Sequence, residues 1–148
     1  MKNLNHVMWI ILAIAIAPIA GCQQDAAHEE HEQPAHVEPI NGSEMSRVTL
    51  TPKAVERLDV RTAKVDEQKG SRNESPQKTV PYAAVLYDPH GNTFVYTSPE
   101  PRVFIRQQIT VEYIEDDVAY LTAGPEPGTE VATVGAAEIY GTEFEVGH

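Results

Sequence analysis

The sequence has a single cysteine, Cys22, in 148 residues, so no disulfide can form within the chain. Methionine is nearly as scarce. Met45 is the only one beyond residue 8, which excludes a methionine cluster for Cu(I). Basic residues stop early: apart from Lys2, every Lys and Arg lies between Arg47 and Arg106, and none follows. With a formal net charge of -11, the chain lacks the cationic surface that nucleic-acid phosphates require. No Gly-x-Ser-x-Gly, phosphate loop or His-Glu-x-x-His occurs, and the carboxylates fall at turns and surface positions without an evident acid–base pair, so an enzyme is not expected. No apolar run approaches the roughly 20 residues of a membrane helix. The longest, Val7 to Ala17, is short and runs into Pro18. There is no internal repeat.

What is present begins with that run. Lys2 precedes it, and Ile19-Ala20-Gly21-Cys22 follows, giving a charged start, an apolar centre and a small-residue cleavage site. The ending resembles the lipobox of bacterial lipoproteins. The resemblance implies that residues 1–21 are a signal peptide and that Cys22 becomes a lipidated N-terminus. Acyl chains on Cys22 imply stable attachment to the periplasmic face of a bacterial membrane, since two or more chains hold where one is marginal. Gln23 and Gln24 follow the cysteine, whereas Asp at that point marks inner-membrane retention in enteric-type lipoproteins, so the choice of membrane stays open. Removing the leader takes away Lys2 and no acid, moving -11 to about -12.

Residues 22–45 contain no Lys, Arg or aromatic residue and few large aliphatics. Such composition cannot bury enough apolar surface to offset ordering entropy, which predicts a disordered tether. Within it lie His28, His31 and His36, beside Glu29 and Glu32. Imidazole and carboxylate suit Zn²⁺ or Cu²⁺. Two readings stand: a weak metal site ordered by the ion, or a solvated tether that contains histidine. His90, in a turn sequence, reads as an exposed turn residue.

Order is expected from residue 46. Arg47 to Thr51 alternates as a strand. Thr51-Pro52 reads as an N-cap and first helical residue, and Val55 and Leu58 share a face of a short helix. Val60 to Val65 alternates again. Residues 67–79 are polar and punctuated by Gly and Pro, hence a linker. Strands are then expected over Val80–Tyr87, Thr93–Thr97, Val103–Ile114 (bulged near Gln107-Gln108), Val118–Thr122 and Thr129–Val134. Turns are expected at Asp88 to Asn92, Glu115 to Asp117 and Gly124 to Gly128. Residues 135–140 read as a helical turn or an extended end, and 142–148 as a flexible C-terminus. The fold class is therefore mainly β, a small β-roll or barrel with one short helix behind a disordered tether. The carboxylates from Glu112 onward read as a solvated acidic face or as a docking surface for a basic partner.

The ordered set Val80-Pro81-Tyr82-Ala83-Ala84-Val85, Gly91-Asn92-Thr93-Phe94-Val95-Tyr96, Val103 to Val111 and Gly124 to Ala136 resembles the membrane-proximal domain of periplasmic adaptor subunits of RND-type efflux pumps. Arg47 to Pro52 and Leu58 to Val65 resemble the N-terminal segment of the heavy-metal branch. The match spans most of residues 46–141. A full adaptor carries lipoyl, hairpin and barrel domains between these two ends, where this chain has only residues 67–79. The family's Gly-Leu turn reads Gly124-Pro125 here. The resemblance implies a non-catalytic, lipid-anchored accessory module that docks on an inner-membrane efflux transporter or a full-length adaptor. The alternative is a metal-binding or metal-delivery lipoprotein that uses His28, His31 and His36.

Overall fold

A computed structural model describes residues 33–144. The protein is mainly β: among the described residues ten strands form one curled sheet, with two helices packed on part of it.

Strand β1 (Ala35–Pro39) pairs antiparallel with β2 (Ser46–Leu50), Ala35 opposite Leu50 and Pro39 opposite Ser46. The tether expected over 22–45 thus gives way to sheet at Ala35, while 22–32 lie outside the described residues. Ala35 and Val37 offer little apolar area, but both pack on the core, and the ladder to β2 satisfies their backbone. Composition alone misses that second contribution. Helix α1 (Pro52–Arg57) forms as its signals predict: Thr51 Oγ1 accepts from the Ala54 N–H at 3.1 Å, and Pro52 opens the first turn.

Strands β3 (Arg61–Lys64) and β4 (Asp66–Gln68) are successive parts of one run, separated only by Val65. The Val65 N–H donates to Thr129 O, and its carbonyl accepts from the Gly128 N–H, both at 2.8 Å. The linker expected over 67–79 contracts to 69–76, because β5 (Gln77–Pro81) pairs with β4. The side chains of β4 are all exposed and polar, so no apolar alternation announced it. The strand expected over 80–87 is broken: β5 ends at Pro81, Tyr82–Ala84 form a 3₁₀ turn, and β6 (Leu86–Tyr87) follows. Proline has no N–H for a further ladder bond, and the turn sends Ala84 and Val85 into the core.

β7 (Thr93–Glu100), β8 (Val103–Glu115), β9 (Val118–Ala123) and β10 (Glu130–Val134) complete the sheet in the order β3-β10-β7-β8-β9-β5-β4. β8 pairs with β7 up to Ile109 and with β9 from Thr110 onward. Its register shifts against β9 lie between Thr110 and Tyr113, where it changes partners, and a further shift against β7 lies between Thr97 and Glu100; none falls at the expected Gln107-Gln108. The β8–β9 turn is Asp116-Asp117, both left-handed (φ 48° and 62°), as a two-residue hairpin with primed geometry requires.

Because both ends of the strand order lie on the run 61–68, the sheet curls towards a barrel. Val65, Val80, Val95, Ile109, Leu121 and Val131, from successive strands around the curl, form one core. A second core lies on the other face: Phe94 and Tyr96 alternate with Val95, and Ala132 with Val131. That face is covered by β2, α1 and α2 (Ala136–Glu143), which buries Ala136 and Ile139. The flexible end expected from residue 142 therefore begins too early. α2 runs through Glu143, and the Glu143 side chain is only 2% exposed. Gly135 opens this helix at φ 81°, and a Cβ there would come within 2.8 Å of Val60 Cγ2.

Candidate functional site

Most residues singled out for chemistry lie outside the described range: Cys22, His28, Glu29, His31 and Glu32. His36 stands on β1 with its side chain 73% exposed and Nε2 3.3 Å from Glu38 Oε1, two residues along the same strand face. Among the described residues no group of three His, Cys, Asp or Glu is arranged to hold a metal ion. His90 is exposed in the turn before β7, where Asp88 Oδ1 accepts from the backbone N–H groups of His90 and Asn92, both at 2.8 Å. The Asn92 side-chain amide donates to Asp88 Oδ2 at 2.7 Å and, with those backbone bonds, holds the Asp88 carboxyl below its ordinary range.

The polar cluster at the end of α2 is structural in form. The buried Tyr96 hydroxyl donates to Glu143 Oε2 at 2.5 Å, and Arg106 Nε lies 3.5 Å from Glu143 Oε1. The Arg106 guanidinium also sits over the rings of Phe94 (5.6 Å) and Phe144 (5.0 Å). Burial, then the Glu143 carboxylate, push the Tyr96 hydroxyl well above the usual tyrosine range. Tyr96 and Glu143 satisfy each other, whereas the buried Arg106 Nε makes no hydrogen bond; together the three groups tie α2 to β7 and β8.

A surface suited to binding lies along the second half of β8. Gln108, Thr110, Glu112 and Ile114 alternate outward and, with Tyr87, Asn92 and Thr93, line an open groove of about 540 Å³. Tyr82, Tyr87 and Ile114 are 39%, 52% and 41% exposed, unusual for large apolar side chains grouped together. Hydrogen bonding with the neighbouring Tyr82 hydroxyl raises the Tyr87 pKa, and the Tyr82 N–H donates to Asp117 O, which brings this patch against the Asp116-Asp117 turn.

Loop 69–76 packs against the same end of β8. The Ser71 hydroxyl donates to Glu115 Oε1 at 2.5 Å, and the Asn73 and Gln77 amides both donate to Glu112. Arg72 lies 4.6 Å above the ring of Tyr113, which stacks on Tyr120 with centroids 4.5 Å apart. The Tyr113 hydroxyl is buried without a hydrogen-bond partner, and Gly70 leaves the space it occupies. The uneven charge already marked this end of the chain. The Tyr82, Tyr87 and Ile114 patch escaped notice, although the alternating parity of β8 puts Ile114 outward with Glu112. Comparison with family models, curated proteins and solved structures finds no match to this chain.

Proposed function

We propose that this protein is a non-catalytic, lipid-anchored periplasmic accessory module of an RND-type efflux system, of the metal-transporting kind, that docks on the inner-membrane transporter or on a full-length adaptor. The observation that carries this reading is the pairing of β4 with β5. In the family that the sequence resembles, further domains interrupt the chain at this point. Here the two flanking segments lie side by side in one sheet, with β2 paired to β8 and β3 to β10 as well. A membrane-proximal domain could thus stand alone, its insertion replaced by the loop 69–76. Anchoring through Cys22 would confine the domain near the membrane and raise its effective concentration for partners there.

The test is purification of the full chain from membranes in mild detergent. Recovery with an RND transporter or adaptor subunit in stoichiometric amount supports the reading, and recovery without either overturns it. The anchor is checked separately. Cys22→Ala should abolish incorporation of labelled palmitate and release the protein from the membrane fraction.

A further inference from the structure

The β8–β9 end of the domain carries negative charge with no internal compensation. Ion pairs occur elsewhere, as between Lys78 and Glu126 or Arg47 and Glu100, yet among the described residues none involves Glu112, Glu115, Asp116 or Asp117. Glu112 and Glu115 accept from neutral amides and a hydroxyl. Arg72, in the adjoining loop, is turned onto the Tyr113 ring. Beside these carboxylates lie the exposed Tyr82, Tyr87 and Ile114 and the groove along β8. Aromatic and aliphatic anchors within a charged rim are the usual anatomy of a protein-binding surface.

We infer that this groove and the adjoining Asp116-Asp117 turn form a docking surface for a cationic polypeptide, one that presents Lys or Arg around an apolar side chain. Charge decides among occupants. A second copy brings another -11 and is repelled, and an anionic lipid surface is repelled likewise. The inference deepens the docking reading by naming the face and the chemistry of the partner.

The test is a fluorescence-anisotropy titration of a labelled lysine-rich peptide with a central leucine against the full chain in mild detergent, with a glutamate-rich peptide as control. Asn is at least as well suited as Asp to a positive φ, so Asp116→Asn with Asp117→Asn keeps the turn and removes only charge. This pair should weaken binding about fivefold to tenfold at low salt. Tyr87→Ala should weaken it with the salt dependence unchanged, and Glu138→Gln, exposed on α2, should have no effect. Three results overturn the inference: no binding of the lysine-rich peptide at low salt, equal loss with Glu138→Gln, or sedimentation showing a self-associated chain that the Asp116 and Asp117 changes dissociate. Peptide binding without transporter recovery sinks only the proposed function, and transporter recovery without peptide binding sinks only this surface.

Discussion

At the scale of single residues, the Tyr96–Glu143 bond is the contact most exposed to test. The Glu143 side chain is nearly sealed from water, and the Tyr96 hydroxyl gives it a hydrogen bond of 2.5 Å, while Arg106 Nε stands off at 3.5 Å. Tyr96→Phe leaves a buried carboxylate oxygen without its best donor. It should cost about 1.5–3 kcal/mol, the range for hydrogen bonds to charged groups, measured by urea denaturation. The same residue sets an alkaline limit. Its folded pKa is raised, so its contribution is complete below the ordinary tyrosine value of about 10 and is lost as pH climbs beyond it, because only the unfolded chain ionises there. Stability of the wild type should fall more steeply above pH ~10 than that of Tyr96→Phe. Parallel pH profiles would remove Tyr96 as the cause. None of this was readable beforehand. Glu143 looked like one more carboxylate in an acidic tail, and nothing in its sequence neighbours reveals a partner 47 positions away.

At the scale of elements, local signals fared unevenly, for physical reasons. Thr51-Pro52 and the Asp88 to Asn92 turn depend on side-chain-to-backbone bonds over a few residues, and both form as expected. β1 and β4 depend on partners: Ala35 to Pro39 and Asp66 to Gln68 carry little or no apolar pattern, and their neighbours in the sheet hold them. α2 is the converse case. Its apolar residues are few, yet Ile139 is fully buried and Ala136 nearly so, beneath a helix that the sequence left undecided. Ile139→Ala should cost about 2–5 kcal/mol, as deletion of a buried aliphatic side chain does. A loss below 1 kcal/mol would mean that α2 is dispensable to the core. Of the candidate site, charge asymmetry was visible in the sequence, whereas the apolar patch required the outward parity of β8 and the docking of Tyr82 against the β8–β9 turn.

For the whole molecule, the run 61–68 matters most, since it holds both ends of the strand order together. Cutting the chain within 69–76 breaks no core strand. The N-terminal fragment keeps β2 on β8, β3 on β10 and β4 on β5. A protease site engineered between Ser71 and Ser75 should therefore yield two fragments that co-elute on size exclusion and separate only in denaturant. Separation in native buffer would show that loop 69–76 is a structural tie. The same run also governs when the domain can form. Thr133 Oγ1 donates to the carbonyl of Arg61, 72 positions earlier, and β3 has no ladder until β10 exists. Contacts so distant in sequence make folding slow and late. A nascent chain lacking β10 has an open curl with an unpaired strand, so it stays unfolded, and fit to be threaded through a narrow channel, until β10 has been made.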